Sequence, residues 1–228
     1  MPSLTIEVEF QRKGFSLSSL QIDQFHLYLK QLQVWNNHIN LTSVDDEWGI
    51  IHKHFLDSLK LLKFVDFPSD CRLIDIGSGA GFPGFPLKIY RPRIDLLLVE
   101  SVSKKASFLQ FILAQLQQTD PHNFGQVKII ADRAEKLAGQ QQFVERESAD
   151  VVVTRYVSDL TNSAPYCLPL LKDNGSWYAY KSGPKQLIDK EINSARSILS
   201  QLGAEVVNVY AGTLIEIKGG NINYNEAN

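Results

Sequence analysis

The sequence is poor in cysteine, has a single methionine and carries no excess of positive charge. Cys71 and Cys167 are its only cysteines, far apart, outside any C-x-x-C spacing and away from histidine clusters. That pattern excludes a disulfide framework and a zinc site, so two buried thiols and no metal are expected. No apolar run approaches the roughly 20 residues that a bilayer span requires. The opening MPSLTIEVEF has neither the basic region nor the apolar core of a signal peptide, and a cytoplasmic location without membrane contact is the expectation. A formal net charge of −2 excludes a global positive field that would draw the chain to nucleic acid. Basic residues gather only in short groups (Arg12-Lys13, His52-Lys53-His54, Arg91 with Arg93, Lys104-Lys105), so any RNA contact must be local; most such groups are solvated faces. Internal repeats and low-complexity stretches are also missing.

What is present suffices for one sizeable core: 228 residues, 44% of them hydrophobic. Ile22, Phe25, Leu29 and Leu32 recur at helical spacing after the capping candidates Ser18 and Ser19, predicting a helix to about Trp35. Asn36 to Thr42 reads as a loop. Ile51, Phe55, Leu59 and Leu62 form a second helical stripe that Pro68 ends at the latest. These helices form an N-terminal cap over residues 1–70. From Cys71 the pattern changes to short apolar runs between helical stretches, the signature of a parallel sheet with crossover helices, over residues 71–220. The runs are Leu73 to Ile76, Asp95 to Val99, Val127 to Ala131, Val151 to Thr154 and Trp177 to Lys181. Ala106, Leu109, Leu113 and Leu116 mark one amphipathic helix; Ile188, Ile192, Ala195, Leu199 and Leu202 mark another after Pro184. Glu205 to Tyr210 and Thr213 to Lys218 are joined by a turn too short for a crossover, so this pair is antiparallel. The fold class expected is α/β: a Rossmann-like seven-stranded sheet of the class I S-adenosylmethionine-dependent methyltransferase type, its last strand pair antiparallel. A flexible tail is expected at Asn221 to Asn228.

The first strand runs into D-I-G-S-G-A-G-F-P-G, residues 75–84, where glycines let the chain turn sharply and a ligand approach the backbone amides. Two registers compete. Gly79, Gly81 and Gly84 spell the dinucleotide fingerprint and would make the chain an NAD-dependent oxidoreductase. Gly77, Gly79 and Gly81, with Asp75 at the strand end near the ligand's amino-acid moiety, spell a methyltransferase turn. The first register places Gly77 and Ser78 where apolar strand belongs and Pro83 inside the turn, so the second fits better. Glu100 closes the next strand about 20 residues on, where an acid accepts hydrogen bonds from ribose hydroxyls; its other reading is a capping acid for the helix at Val102. Ala131 to Glu135 occupies the place where backbone and side chains meet an adenine, or is an ordinary strand-to-helix loop.

The acceptor chemistry is sought at the end of the fourth strand, Thr154-Arg155-Tyr156-Val157. This is not the Asn/Asp-Pro-Pro-aromatic motif that grips exocyclic amines, and no Pro-Cys pair supplies a thiolate for carbon methylation. An acceptor with a ready lone pair, such as guanine N7, needs no general base, and positioning then supplies most of the catalysis. Arg155 is the residue most suggestive of function, because an arginine at the sheet's carboxyl edge is costly without an anionic partner. That partner is an RNA phosphate, the cofactor carboxylate, or a plain salt bridge to Asp150 or Asp159. Lys181, on the same edge, is the second catalytic candidate. His54 and Asp57, spaced i, i+3, form a polar pair that either faces the site or is structural.

Asn40-Leu41-Thr42, His54 to Leu59, Asp75 to Leu87, Glu100-Ser101 with Lys104-Lys105, and Arg133-Ala134-Glu135 occur in an order and spacing that closely resembles the RsmG, or GidB, family of bacterial small-subunit ribosomal RNA guanine-N7 methyltransferases. The likeness covers nearly the whole chain, and the block Gly79 to Lys88 is its most specific part. It implies S-adenosylmethionine as donor and a guanine of 16S rRNA near the decoding region as acceptor, with 16S rRNA or the small ribosomal subunit as partner; a monomer is the favoured state. It implies cofactor contacts at Gly77, Phe82, Ala134, Glu135 and Arg155. Two departures stand out: Ser182 separates Lys181 from Gly183, where the family has glycine directly after the lysine, and Thr154-Arg155-Tyr156 stands in place of Ser-Arg-Ala. A methyltransferase for a small molecule or protein, and a non-catalytic binding module, are the rival functions.

Overall fold

In the computed structural model, residues 5–66, 68 and 70–219 are described; the tail expected at Asn221 to Asn228 lies outside them. The apolar runs become β1 (Arg72–Ile76), β2 (Asp95–Val99), β3 (Lys128–Ile130), β4 (Ala149–Arg155), β5 (Leu171–Tyr180), β6 (Ala204–Tyr210) and β7 (Leu214–Gly219). They form one sheet in the order β3-β2-β1-β4-β5-β7-β6. The first five are mutually parallel, β7 is antiparallel to β5, and β6 is antiparallel to β7. This is the sheet expected of a class I methyltransferase.

Strand side chains alternate between two faces, and both faces are covered, which is why these strands read as continuous apolar runs. Leu73, Leu96, Leu98, Val151, Val153, Tyr178 and Tyr180 share one core with Ile6, Phe10, Phe25, Phe55 and Phe85. Ile74, Ile76, Leu97, Val99, Val152, Trp177 and Ala179 share the other with Leu160, Ala164, Ile188, Ile192 and Leu199. The helices before β1 therefore have no separate core of their own; they cover a sheet face.

The N-terminal elements are built by local capping. Ser18 caps the helix Ser19–Asn36, its hydroxyl accepting from Gln21 N while the Gln21 side chain accepts from Ser18 N. Gln21 also donates to the carbonyls of Ile89 and Tyr90, so the same side chain closes the C-terminus of the helix Gly84–Tyr90. A helix at Ile6–Arg12 was not expected from periodicity. Its signal is capping: Thr5 accepts from Val8 N, Glu7 and Glu9 lie near the N-terminus, and Arg12 ends the last turn. The second stripe is a helical run from Glu47 to Lys63 that widens to π-helix over Ile50–Leu56 and tightens to 3-10 over Lys60–Lys63. The tightening turns Leu61 rather than Leu62 into the core.

Strand β1 lies beside β2 on one flank and β4 on the other. The connections leave in opposite directions there, and a crevice opens outside the carboxyl ends of these strands. Into it point the turn after Ile76, the end of β2 at Glu100, and the end of β4 at Arg155.

Candidate active site

The glycine turn is strained in the way its register predicts. Gly77, Gly79 and Gly81 have φ of 69°, 59° and 99°, values that side chains rarely tolerate. Gly84 is not among the left-handed residues; it opens a helix where a Cβ would strike Leu98 and Asp75. A Cβ at Gly79 would come only as near as 4.0 Å to Gly77 O, so this side of the turn leaves room for a ligand. The turn is tied to the end of β2 by Val99 and Glu100. Gly77 N and Ser78 N donate to Val99 O, at 2.9 and 3.1 Å. Glu100 Oε2 accepts from Gly79 N at 2.8 Å and Oε1 from Val102 N at 2.7 Å. Glu100 thus holds the amide of Val102, the residue before the helix Ser103–Thr119, and each carboxylate oxygen keeps a second lone pair.

The crevice has two lobes. The larger, about 350 Å³, is lined by Thr42, His54, Gly77, Gly79, Phe82, Glu100, Lys105, Arg155 and Tyr156 among others. A smaller lobe, about 90 Å³, is lined by Ile76, Asp132, Arg133, Ala134, Glu135 and Tyr166. Gly77, Ser101 and Val157 border both. Val157 packs directly over Gly77, where an added Cβ would come within 2.5 Å of its methyl group.

The structure thus brings together Gly77, Gly79, Phe82, Glu100 and Arg155 in one lobe and sets Ala134 and Glu135 in the adjoining one. Two candidates fall elsewhere. Asp75 is fully buried beneath the turn, its Oδ2 accepting from Gly84 N at 2.8 Å. Because strand residues alternate, Asp75 faces the N-terminal helices rather than the crevice, and it acts on the turn's shape. Lys181 lines neither lobe: its ammonium donates to Ser158 O at 2.5 Å and pairs with Glu191 at 2.7 Å. The catalytic role expected for Lys181 is therefore replaced by a positioning one, since a lysine committed to a carboxylate and a carbonyl anchors the Val157-Ser158 loop. Lys105, Thr42 and Val157 line the site without a role of their own having been assigned; each was visible only as a member of a motif.

Arg155 is buried at the centre of a network. Its Nε faces Asp57 Oδ2 at 3.2 Å, and its NH2 donates to the Lys53 carbonyl and to His54 Nδ1 at 3.1 Å. Its anionic partner is thus Asp57, and the expected bridges to Asp150 or Asp159 do not form. Asp150 binds Arg72 N and Lys172, and Asp159 caps the helix Leu160–Cys167. The π-helical turn brings Lys53, His54 and Asp57 to the guanidinium, a placement common at functional sites. Since Arg155 donates to Nδ1, His54 carries its proton on Nε2 and donates to Thr42 Oγ1 at 2.6 Å. Burial and the neighbouring guanidinium depress His54 to about 4, so the ring is neutral at physiological pH. It stacks on Phe82 at 4.7 Å between centroids.

Burial pushes the Asp75 carboxyl up to about 7, against the opposing Gly84 N–H. A raised carboxyl favours the folded state fully below its ordinary value near 3.8, and that contribution is lost as pH rises to about 7. His54 works the other way: its contribution is present above 6.5 and is lost as pH falls towards about 4. Asp75→Asn isolates the first effect. The stability of wild type relative to Asp75→Asn is expected to fall between about pH 4 and pH 7, on the order of 1.4 kcal/mol per unit, and to level off above. Urea unfolding across pH measures this, and a pH-independent difference would contradict it.

Among the described residues no helix is long and apolar enough to cross a membrane, and no three His, Cys, Asp or Glu residues gather as a metal site. Both cysteines are buried.

Comparison with known proteins adds three findings. The model of the GidB family, described as rRNA small subunit methyltransferase G, matches residues 21–214. The chain is 44% identical over 202 residues to the ribosomal RNA small subunit methyltransferase G of Roseiflexus sp. (strain RS-1), covering 88% of this chain and 81% of that protein. It is 37% identical over 199 residues to the protein of the same name from Bacillus subtilis (strain 168), covering 87% and 79%. Among solved structures it is similar to M. jannaschii TYW2 in complex with AdoMet, with TM-score 0.54, 14% identity and coverage of 77% of this chain and 75% of that one. A comparable likeness, TM-score 0.54 and 14% identity, links it to the mitomycin 7-O-methyltransferase MmcR, of which it spans 54% while 73% of this chain is covered. At these identities the structural likeness concerns the fold.

Proposed function

We propose, from the premise that this chain belongs to the rRNA small subunit methyltransferase G family, that the crevice transfers a methyl group from S-adenosylmethionine to N7 of one guanine in 16S rRNA, presented by the RNA or by the small ribosomal subunit. The protein is an S-adenosylmethionine-dependent rRNA methyltransferase; the residue assignments that follow are our own reading.

The lobes fit the cofactor on local grounds. Gly79 leaves room beside the turn, Glu100 stands ready for the ribose hydroxyls, and Ala134 with Glu135 lines the recess for the adenine. Gly77 and Phe82 would complete the cofactor's bed. When bound, S-adenosylmethionine supplies an electrophilic methyl group on a sulfonium.

One observation carries the choice of acceptor: the groups lining the larger lobe are placed to hold and not to remove protons. His54 is neutral, with one ring nitrogen accepting from Arg155 and the other donating to Thr42. Both Glu100 oxygens accept backbone amides. Tyr156 is raised above its ordinary value, chiefly by burial, and stays protonated. Such a site suits a nitrogen whose lone pair attacks directly, because orientation alone contributes roughly 7 to 11 kcal/mol. Arg155 and Lys105 supply positive charge at the crevice, which the chain's overall charge does not.

In a strain lacking the gene, mass spectrometry of small-subunit rRNA should show the loss of one N7-methylguanosine, restored by the purified protein. An unchanged modification map would overturn this function.

A further inference from the structure

Tyr156 is the one residue of the crevice whose conformation is costly on two counts. It has φ of 56°, a left-handed backbone unusual for a bulky residue, and is held there by its amide donating to Tyr180 O at 3.3 Å. Its ring is 52% exposed, although it belongs to the lining of the larger lobe. Strain retained at a ligand cavity points to use rather than to packing. Beneath it the order of groups is regular. Tyr28 stacks with Phe82 at 5.4 Å, the Arg155 guanidinium lies 5.6 Å from the Phe82 ring centre, and the same guanidinium lies 5.1 Å from that of Tyr156. A cation between two rings fixes the outer ring in place.

The residues lining the adenine recess include Val157 and Tyr166 but not Tyr156. The outer aromatic surface is thus left for the acceptor. We propose that Tyr156 is the stacking platform for the acceptor guanine. This rests on guanine N7 being the acceptor. Methylation there forms the N7–C bond with the nitrogen lone pair, while the sulfonium–methyl bond breaks and its electrons return to sulfur. The base thereby becomes a cation and the donor a neutral thioether. The Arg155 charge is balanced by Asp57 at 3.2 Å, so the outer ring is fixed in place while its exposed face stays electron-rich and available to a base.

The full-length protein is tested on small-subunit rRNA. Tyr156→Gly removes the ring while accepting the left-handed backbone without strain, so its fold is kept. Its KM for RNA is expected to rise about tenfold to hundredfold, as for loss of one base stack, with S-adenosylmethionine affinity unchanged by calorimetry. Tyr156→Phe and Tyr156→Trp are expected to restore the RNA affinity. An unaltered KM in Tyr156→Gly, or a fall in S-adenosylmethionine affinity instead, overturns the platform. Failure of wild type to methylate the RNA at all overturns the underlying function, and is read before any variant.

Discussion

Arg155→Ala is expected to lower single-turnover methyl transfer by about a hundredfold to a thousandfold, the scale of losing a preorganised charged donor, while the protein stays folded. Three contacts end together: the ion pair with Asp57, the bond to the Lys53 carbonyl and the bond to His54. Phe82 and Tyr156 also lose the cation between them. The fold survives because Asp57 is not left stranded; it pairs with Lys60 at 2.9 Å and is partly exposed. A second readout separates this from general damage. Arg155 is one cause of the depressed His54, so removing it should move the His54 titration up from about 4, measurable by NMR. Arg155→Lys keeps the charge but cannot serve three partners at once, so at most partial recovery is expected. Wild-type turnover in Arg155→Ala, or an unmoved His54, would refute the assignment.

For Glu100→Ala the expected loss is in cofactor binding, about tenfold to a thousandfold by calorimetry. Hydrogen bonds to a charged acceptor contribute roughly 1.5 to 3 kcal/mol each, and this carboxylate holds Gly79 N and Val102 N while lining the crevice. Without it, Gly79 loses its anchor and the turn must be ordered by the ligand itself. Glu100→Gln recovers only part, because its amide nitrogen cannot accept from a backbone N–H. The effect on RNA affinity should be slight, which distinguishes Glu100 from Tyr156. Undiminished S-adenosylmethionine binding in Glu100→Ala would remove Glu100 from the cofactor site.

Much of the architecture could be read before any coordinates, for reasons that differ by element. β2 matches its expected bounds because Asp95-Leu96-Leu97-Leu98-Val99 is buried along almost its whole length. β5 begins earlier than its apolar run: Lys172, Asp173 and Asn174 are exposed strand residues, and the register shifts between Ala149 and Val151 on the neighbouring strand. Polar residues at a shifted edge carry no strand signal. The block Gly79 to Lys88 proves partly structural. Lys88 donates to Pro92 O and Ile94 O, both at 2.6 Å, and so fastens its helix to the start of β2.

The glycine turn was decided by the sequence itself. Gly77, Gly79 and Gly81 follow a strand that leaves no room for the dinucleotide register, and backbone angles depend on which residue stands at each position. The succession of strands along the chain likewise follows from local apolar patterning, because each run announces its own burial; their order within the sheet does not. What surrounds Arg155 could not be known that way. Asp57, His54 and the Lys53 carbonyl reach it from a helical run that precedes β1 in the chain, and only the folded sheet brings those segments together. The sequence offered Asp150 and Asp159 as nearer partners, but chain proximity is not spatial proximity once β4 ends and the backbone turns. Burial made the same kind of choice for Asp75 and Lys181, sending one beneath the turn and the other to Glu191, since a side chain's face is set by strand alternation and by what packs against it.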